Sequence, residues 1–222
     1  MLHVATFRFN HFYENTYLAF DNAGVCMLID PGMYTKEERD QIDRHISFLG
    51  LQIRYIILTH AHIDHILGLA YAQQRYEAPL VVHRAEYRNL PLLKNYGATQ
   101  GYVLDDIKDN VLFVQEGDAI QLGSLSFAVY HTPGHTPNSI SLYNEPEAKL
   151  FSGDVLFYNA IGNTHLPGGD RRQLIETIET KILSLPPDTE FYPGHGSSTT
   201  IGYIRSAIEK GYFSHLKIPQ AL

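Results

Sequence analysis

The sequence predicts an α+β protein in which two sheets stack between outer layers of helices. Three observations carry that prediction. Strand-like runs fall into two blocks, residues 3–30 and 111–153. Helical periodicity lies between and after the blocks, where it can cover one face of each. No shift in composition marks a boundary, so residues 1–222 are read as one domain.

In chain order, HVATFRF, NTYLAF and VCMLID are separated by polar or Gly-containing turns and predict a three-stranded meander. Residues 35–49 place Ile42, Ile46 and Leu49 at helical spacing. IRYIILT is a near-continuous apolar run, as expected of a strand covered on both faces. ILGLAYAQQRY then predicts a helix, PLVVH a strand, residues 84–96 another helix, and residues 97–110 a loop. VLFV, AIQL, LSFAVYH, SISLY and KLFSG predict the strands of the second block. Asp170 can cap a helix while Gln173 reaches back, and Leu174, Ile178 and Ile182 share its face. DTEFYPGHG returns to a short strand and loop, and residues 200–210 read as helical.

A net charge of −7 argues against broad binding to nucleic acid or an anionic membrane. No apolar run approaches the length of a membrane span, and MLHVATFRFN lacks the features of a secretory signal, so a cytoplasmic location is expected. Cys26, the one cysteine, lies in an apolar run and reads as a small core hydrophobe.

The chemistry concentrates in LTHAHIDH, where His60, His62, Asp64 and His65 follow a predicted strand. Alternation in an extended segment points His60 and His62 the same way, and the turn into the next helix sends Asp64 and His65 to an adjacent position. For 12 His and the matching Asp content in 222 residues, a chance H-x-H-x-D-H is expected about 0.002 times per chain. Imidazole and carboxylate without thiolate suit zinc, iron or manganese in a reactive rather than a purely structural site. Three more predicted strands end in glycine-bearing polar loops, carrying His135, Asp154 and His195. His3, His11, His45, His83, His131 and His215 are read as ordinary surface or core histidines.

Taken in this order, HAHIDH, HTPGHTPNS, SGDVLF and YPGHGSST resemble the metallo-β-lactamase superfamily over nearly the whole chain. The glyoxalase II (hydroxyacylglutathione hydrolase)-like branch, in its short bacterial form, is the nearest in pattern. The resemblance implies a four-layer αββα sandwich and two divalent metal ions, zinc first, with iron or manganese as alternatives. It implies that His60, His62 and His135 hold one metal, Asp64, His65 and His195 the other, and that Asp154 bridges them. It also implies a metal-dependent hydrolase whose metal-bridging hydroxide cleaves a small-molecule thioester, such as S-lactoylglutathione, or a related activated ester, with Asp64 orienting the water. An iron-dependent persulfide dioxygenase-like enzyme and a phosphodiesterase are the alternatives. Antibiotic hydrolysis is disfavoured, because lactamases commonly carry cysteine or a non-bridging residue where this chain has Asp154.

Some residues depart from or extend the pattern. Asn163 and His165 stand where short relatives commonly carry arginine and aspartate, and both are carried as candidate substrate contacts. Phe157 and Tyr158, just after the Asp154 loop, are candidate pocket walls. Ile204 lies where relatives often have glutamate before Asn-Pro-Phe, and the chain is expected to lack the C-terminal helical segment that grips glutathione. Thr59, Thr132 and Ser152 are candidates for holding the ligand imidazoles.

Overall fold

The computed structural model describes residues 1–217. His3–Phe9 (β1), Glu14–Phe20 (β2) and Val25–Ile29 (β3) form the expected antiparallel meander. Lys36–Leu49 (α1) starts at a capping box between Thr35 and Glu38, ends at Gly50 with φ 64°, and buries Ile42 and Ile46. Gln52–Ile57 (β4) then pairs in parallel with β3. After Ile63–Ile66 (α2) and Leu69–Tyr76 (α3), Leu80–His83 (β5) pairs in parallel with β4. Arg84–Thr99 (α4) crosses over to Val111–Val114 (β6).

Ala119–Leu122 (β7), Leu125–His131 (β8), Ile140–Asn144 (β9) and Lys149–Gly153 (β10) follow as antiparallel neighbours. Arg171–Thr177 (α5) runs into a π-helical turn, Ile178–Ile182. Glu190–Pro193 (β11) adds to β10 in parallel, Thr199–Thr200 (β12) adds to β11, and Ile201–Glu209 (α6) ends the fold. The sheet orders are β1-β2-β3-β4-β5-β6 and β12-β11-β10-β9-β8-β7.

Strand alternation separates three apolar layers. Tyr17, Ala19, Met27 and Ile29 point inward against Phe127, Val129, Leu142 and Phe151 of the other sheet. Their neighbours Leu18 and Leu28 point outward to Ile42 and Ile46 of α1 and Leu69 and Ala72 of α3. On the far side Leu150 and Phe191 meet Leu174, Ile178 and Ile182, joined by Ile201 and Ile204 of α6. Each large side chain fully buried in these layers contributes about 1.5–3 kcal/mol of transfer free energy. The αββα sandwich is therefore the observed architecture. Among the described residues no helix is long and apolar enough to cross a membrane.

Three expectations are corrected. VLFV belongs to the first sheet, not the second: β6 pairs in parallel with β5, from Leu80↔Val111 to His83↔Val114. A parallel neighbour needs a crossover, which α4 supplies, whereas a four-residue strand carries no mark of its sheet. The helix read from ILGLAYAQQRY is broken at Gly68, where the backbone N–H donates to Pro31 O at 2.7 Å and a Cβ would collide with Met33. The helix from Arg84 also continues past residue 96, through Pro91, to Thr99.

Candidate metal centre

The candidate ligands lie just past the ends of four strands. β4 stops at Ile57, and Thr59–His62 run on as a loop before Asp64 and His65 enter α2. His135 follows β8, Asp154 follows β10, and His195 follows β11. Strand ends pinned by two packed sheets fix these loops, and Gly194 permits the closest approach: a Cβ there would meet Asp154 Oδ1 and His65 Cε1.

Seven side chains converge. One ligand atom each from His60, His62 and His135 lie within 4.8 Å of one another, and the same holds for Asp64, His65 and His195. Asp154 faces both groups: its Oδ2 is 3.5 Å from His135 Nε2 and 3.5 Å from His195 Nε2, and its Oδ1 is 3.5 Å from His65 Nε2. His195 Nε2 is 3.1 Å from Asp64 Oδ2.

The tautomers follow from what lies at each Nδ1. The Thr59 hydroxyl donates to Asp30 Oδ2 at 2.7 Å, so the His60 Nδ1 3.0 Å from Thr59 Oγ1 must be the donor to that oxygen. His135 Nδ1 lies 2.6 Å from the Asn163 carbonyl, and His195 Nδ1 lies 3.1 Å from the Phe12 carbonyl, so both donate there. His60 and His135 therefore turn a bare Nε2 inward, and His195 turns its Nε2 toward Asp64 Oδ2. His60 Nε2 and His135 Nε2 end 3.2 Å apart, two lone pairs face to face. His65, fully buried, has Asp30 Oδ2 3.1 Å from Nδ1, yet neither ring nitrogen makes an aligned hydrogen bond, nor does the buried Asp154 Oδ1 opposite it. A cation in each triad would satisfy the inward Nε2 atoms and Asp154 Oδ1, with His65 Nδ1 left to Asp30, so the donor set fits two metal ions.

Charge reinforces the fit. Burial, helped by the imidazoles around it, pushes His60 well below the usual histidine range. Burial and His135 take His62 down to about 4. Both are therefore neutral, as ligation requires. At the other triad burial opposes charge but loses. Asp64, Asp154 and Asp30 drive His65 well above its ordinary value, and Asp64 and Asp154 raise His195. Burial likewise opposes ionisation of Asp154 and Asp64, yet His65 and His195 hold both below the ordinary carboxylate range. This half of the site favours positive charge.

Of the proposed supports, Thr59 touches a candidate ligand. The Thr132 hydroxyl pairs with Ser141, and that of Ser152 donates to the Gly153 carbonyl. The sequence reading missed Asp30, which also accepts from Thr59 N at 2.8 Å and carries φ 49°. It also missed Asn15 and Tyr17 of β2, whose side chains donate to the Pro193 carbonyl and so anchor the His195 loop. The one usable signal for Asp30 was a strand, MLI, ending in Asp-Pro-Gly.

Phe157 and Tyr158, with Asn159, His195, Gly196 and Ser197, line a cavity of about 310 Å³, and the Phe157 ring meets the His195 ring edge-on at 5.9 Å. Asn163 and His165 are exposed and do not line that cavity. Asn163 contributes its carbonyl to His135 and its side chain to the backbone N–H of His165.

A family model described as metallo-beta-lactamase superfamily matches residues 10–205. The chain belongs to that superfamily. Its members are generally hydrolytic enzymes that bind divalent metals, and the His/Asp clusters here agree with that character. The chain is 33% identical over 196 residues to hydroxyacylglutathione hydrolase GloC of Haemophilus influenzae, covering 86% of this chain and 89% of GloC, consistent with the glyoxalase II-like branch. Among solved structures it is similar to the BLEG-1 B3 metallo-beta-lactamase, with TM-score 0.82, 33% identity, and 92% and 97% of the two chains covered. TTHA1623 in a di-iron-bound form gives TM-score 0.78 and 32% identity over 90% and 96%. ETHE1 from Myxococcus xanthus gives 0.69 and 29% over 91% and 80%.

Proposed function

We propose that this superfamily member is a cytoplasmic dinuclear hydrolase that cleaves a small-molecule thioester, S-acylglutathione-like as in S-lactoylglutathione, or a related activated ester. The observation that carries the proposal is the convergence of seven side chains into two triads with Asp154 between them. In this reading His60, His62 and His135 hold one divalent cation, and Asp64, His65 and His195 hold the other. Zinc is expected first; iron and manganese suit the same donors, and TTHA1623 is described as di-iron-bound.

Two such cations, when bound, would supply Lewis acidity: a lower pKa for the attacking water and polarisation of the scissile carbonyl. The chain's own residues do the rest. The Thr59, Asn163 and Phe12 oxygens hold three imidazoles with Nε2 inward. Asp64 Oδ2, beside His195, is placed to accept a hydrogen bond from the attacking water and so orient it. The cavity walled by Phe157 and Tyr158 takes the acyl or thiol part of the substrate.

Asp64 and Asp154 are both held ionised, so neither is a proton donor to a leaving group. A thiol has a pKa near ~8.5 and departs as thiolate without one, whereas an amide nitrogen demands protonation. That asymmetry favours a thioester. The net charge of −7 favours a small molecule over nucleic acid or a membrane surface.

The test is turnover of S-lactoylglutathione and simple acyl thioesters by metal-replete protein, abolished by chelation and restored by metal. A β-lactam and a phosphodiester run alongside, given the likeness to BLEG-1. Background rates on every thioester overturn the reading. A second reading, a mononuclear iron persulfide dioxygenase, is compatible with the likeness to ETHE1; stoichiometric oxygen consumption with a glutathione persulfide would replace the first reading with it.

A further inference from the structure

Glu86 is a buried acid outside the seven candidate ligands, 1% exposed, in the first turn of α4. The helix starts directly after β5, with His83 as its N-cap, so a carboxyl group here also meets the positive end of the helix dipole. Both of its oxygens are used. Oε2 accepts the backbone N–H of Ala61 at 2.9 Å, and Oε1 accepts the Thr136 hydroxyl at 2.7 Å. Ala61 lies between His60 and His62, and Thr136 follows His135.

We infer that Glu86 is a positioning residue that clamps the Ala61 loop to the Thr136 loop and thereby sets the geometry of the His60/His62/His135 site alone. The inference rests on the reading that this triad holds a metal. The two loops come from different sheets, β4 in the first and β8 in the second, and each could drift with its own strand end. One carboxyl group bonded to both fixes their separation at the point where three imidazoles must meet. Neither contact reaches Asp64, His65 or His195; His65 faces Asp30 instead, and His195 Nδ1 donates to the Phe12 carbonyl. The clamp is therefore specific to one of the two metals.

Partner groups that orient ligands typically change metal affinity by about 10–100-fold when removed. Glu86→Ala should weaken the first metal by that factor and leave the second within about 3-fold. Glu86→Gln should restore most of the affinity: its Oε1 accepts from Ala61 N–H, and its amide donates to the Thr136 oxygen, which can be acceptor as readily as donor. A merely structural role predicts no such rescue and no difference between the two sites.

The measurement is stepwise metal release from cobalt- or zinc-loaded protein against a chromogenic chelator, with the cobalt d–d spectrum reporting the coordination of each step. If Glu86→Ala does not fold, Thr136→Val, which deletes only the hydroxyl, carries the test, with an expected first-site loss of several-fold. Two tight metals in the wild type with unchanged first-site affinity in the folded variant, or equal weakening of both sites, overturns the clamp. A wild type that binds no metal overturns the underlying metal reading instead.

Discussion

Asp30 and His65 face each other in the interior, Oδ2 3.1 Å from Nδ1, with both side chains essentially excluded from solvent. The same Asp30 oxygen accepts the Thr59 hydroxyl that in turn holds His60. One carboxyl group therefore reaches one imidazole of each triad, His65 directly and His60 through threonine. Its backbone is left-handed, a conformation that short polar residues tolerate best.

Asp30→Asn should accordingly lower affinity for both metals by about 10–100-fold, in contrast to Glu86→Ala, which acts on one. Metal content after dialysis against a graded chelator, measured by elemental analysis, checks this. Retention of two ions at wild-type chelator strength would confine Asp30 to the scaffold.

Tyr158 is 42% exposed, and its hydroxyl accepts from Tyr203 at 2.6 Å with the two rings stacked at 5.0 Å. Tyr158 lines the cavity that His195 also lines, and its hydroxyl is engaged by Tyr203 rather than by a candidate ligand, so truncation should remove binding rather than chemistry. Tyr158→Ala is expected to raise KM for an acyl thioester about 5–10-fold, with kcat within about 2-fold. Steady-state kinetics decide it: an unchanged KM would move the substrate out of this cavity.

His165 is exposed, and its described hydrogen bond is through backbone nitrogen, to the Asn163 side chain. His165→Asn should leave both limbs of the pH–rate profile in place and kcat/KM within about 2-fold. A displaced limb would instead make it a proton donor that the geometry does not show.

Away from the metals, Asp43 of α1 accepts from Tyr71, Arg75 and Tyr76 at the other helix of the same layer. Burial would raise its pKa, but the tyrosine hydroxyls and Arg75 outweigh it and hold it below the ordinary carboxylate value. A depressed folded pKa contributes stability that is present above the unfolded value, near ~3.9, and is lost as pH falls through the folded one. Asp43→Asn should cost about 1–2 kcal/mol at pH 7, allowing for solvent at the cluster's edge. The gap to wild type should close below about pH 4. Urea denaturation from pH 3 to 8 measures it, and a gap independent of pH would contradict the assignment.

What the sequence disclosed divides along physical lines. His60, His62, Asp64 and His65 were legible because local spacing alone gathers them; His135, Asp154 and His195 sit in loops after predicted strands, and their part as ligands came from the resemblance to the metallo-β-lactamase superfamily that the four motifs carry together. Asp30 and Glu86 were not, since each works by touching loops brought near by parallel pairing or a crossover, relations no local pattern encodes. The strand periodicities predicted both sheets, yet β6 was assigned to the wrong one: a partly exposed edge strand of four residues fits either. Gly68 read as an ordinary helix glycine because the Met33 contact that forbids a side chain is made by a distant segment.

Asp154 carries the sharpest expectation. Its carboxylate is placed against imidazoles of both triads, and in its surroundings it is held ionised against burial. Asp154→Asn keeps the volume but removes the charge, leaving His60 Nε2 and His135 Nε2 facing each other at 3.2 Å with no anion beside them and His65 with a neutral neighbour. Bound cations would then be less well neutralised and would lose the one side chain they share. The variant is expected to retain at most one tightly held ion per chain and to lose about 10³-fold or more in thioester kcat/KM. In metal-free protein the same substitution removes the carboxylate that helps raise the pKa of His65, so His65 should titrate at lower pH than in the wild type, a shift readable from its imidazole proton resonances. Two tightly bound ions and near-wild-type turnover in the asparagine variant would show that the two triads act as separate mononuclear sites.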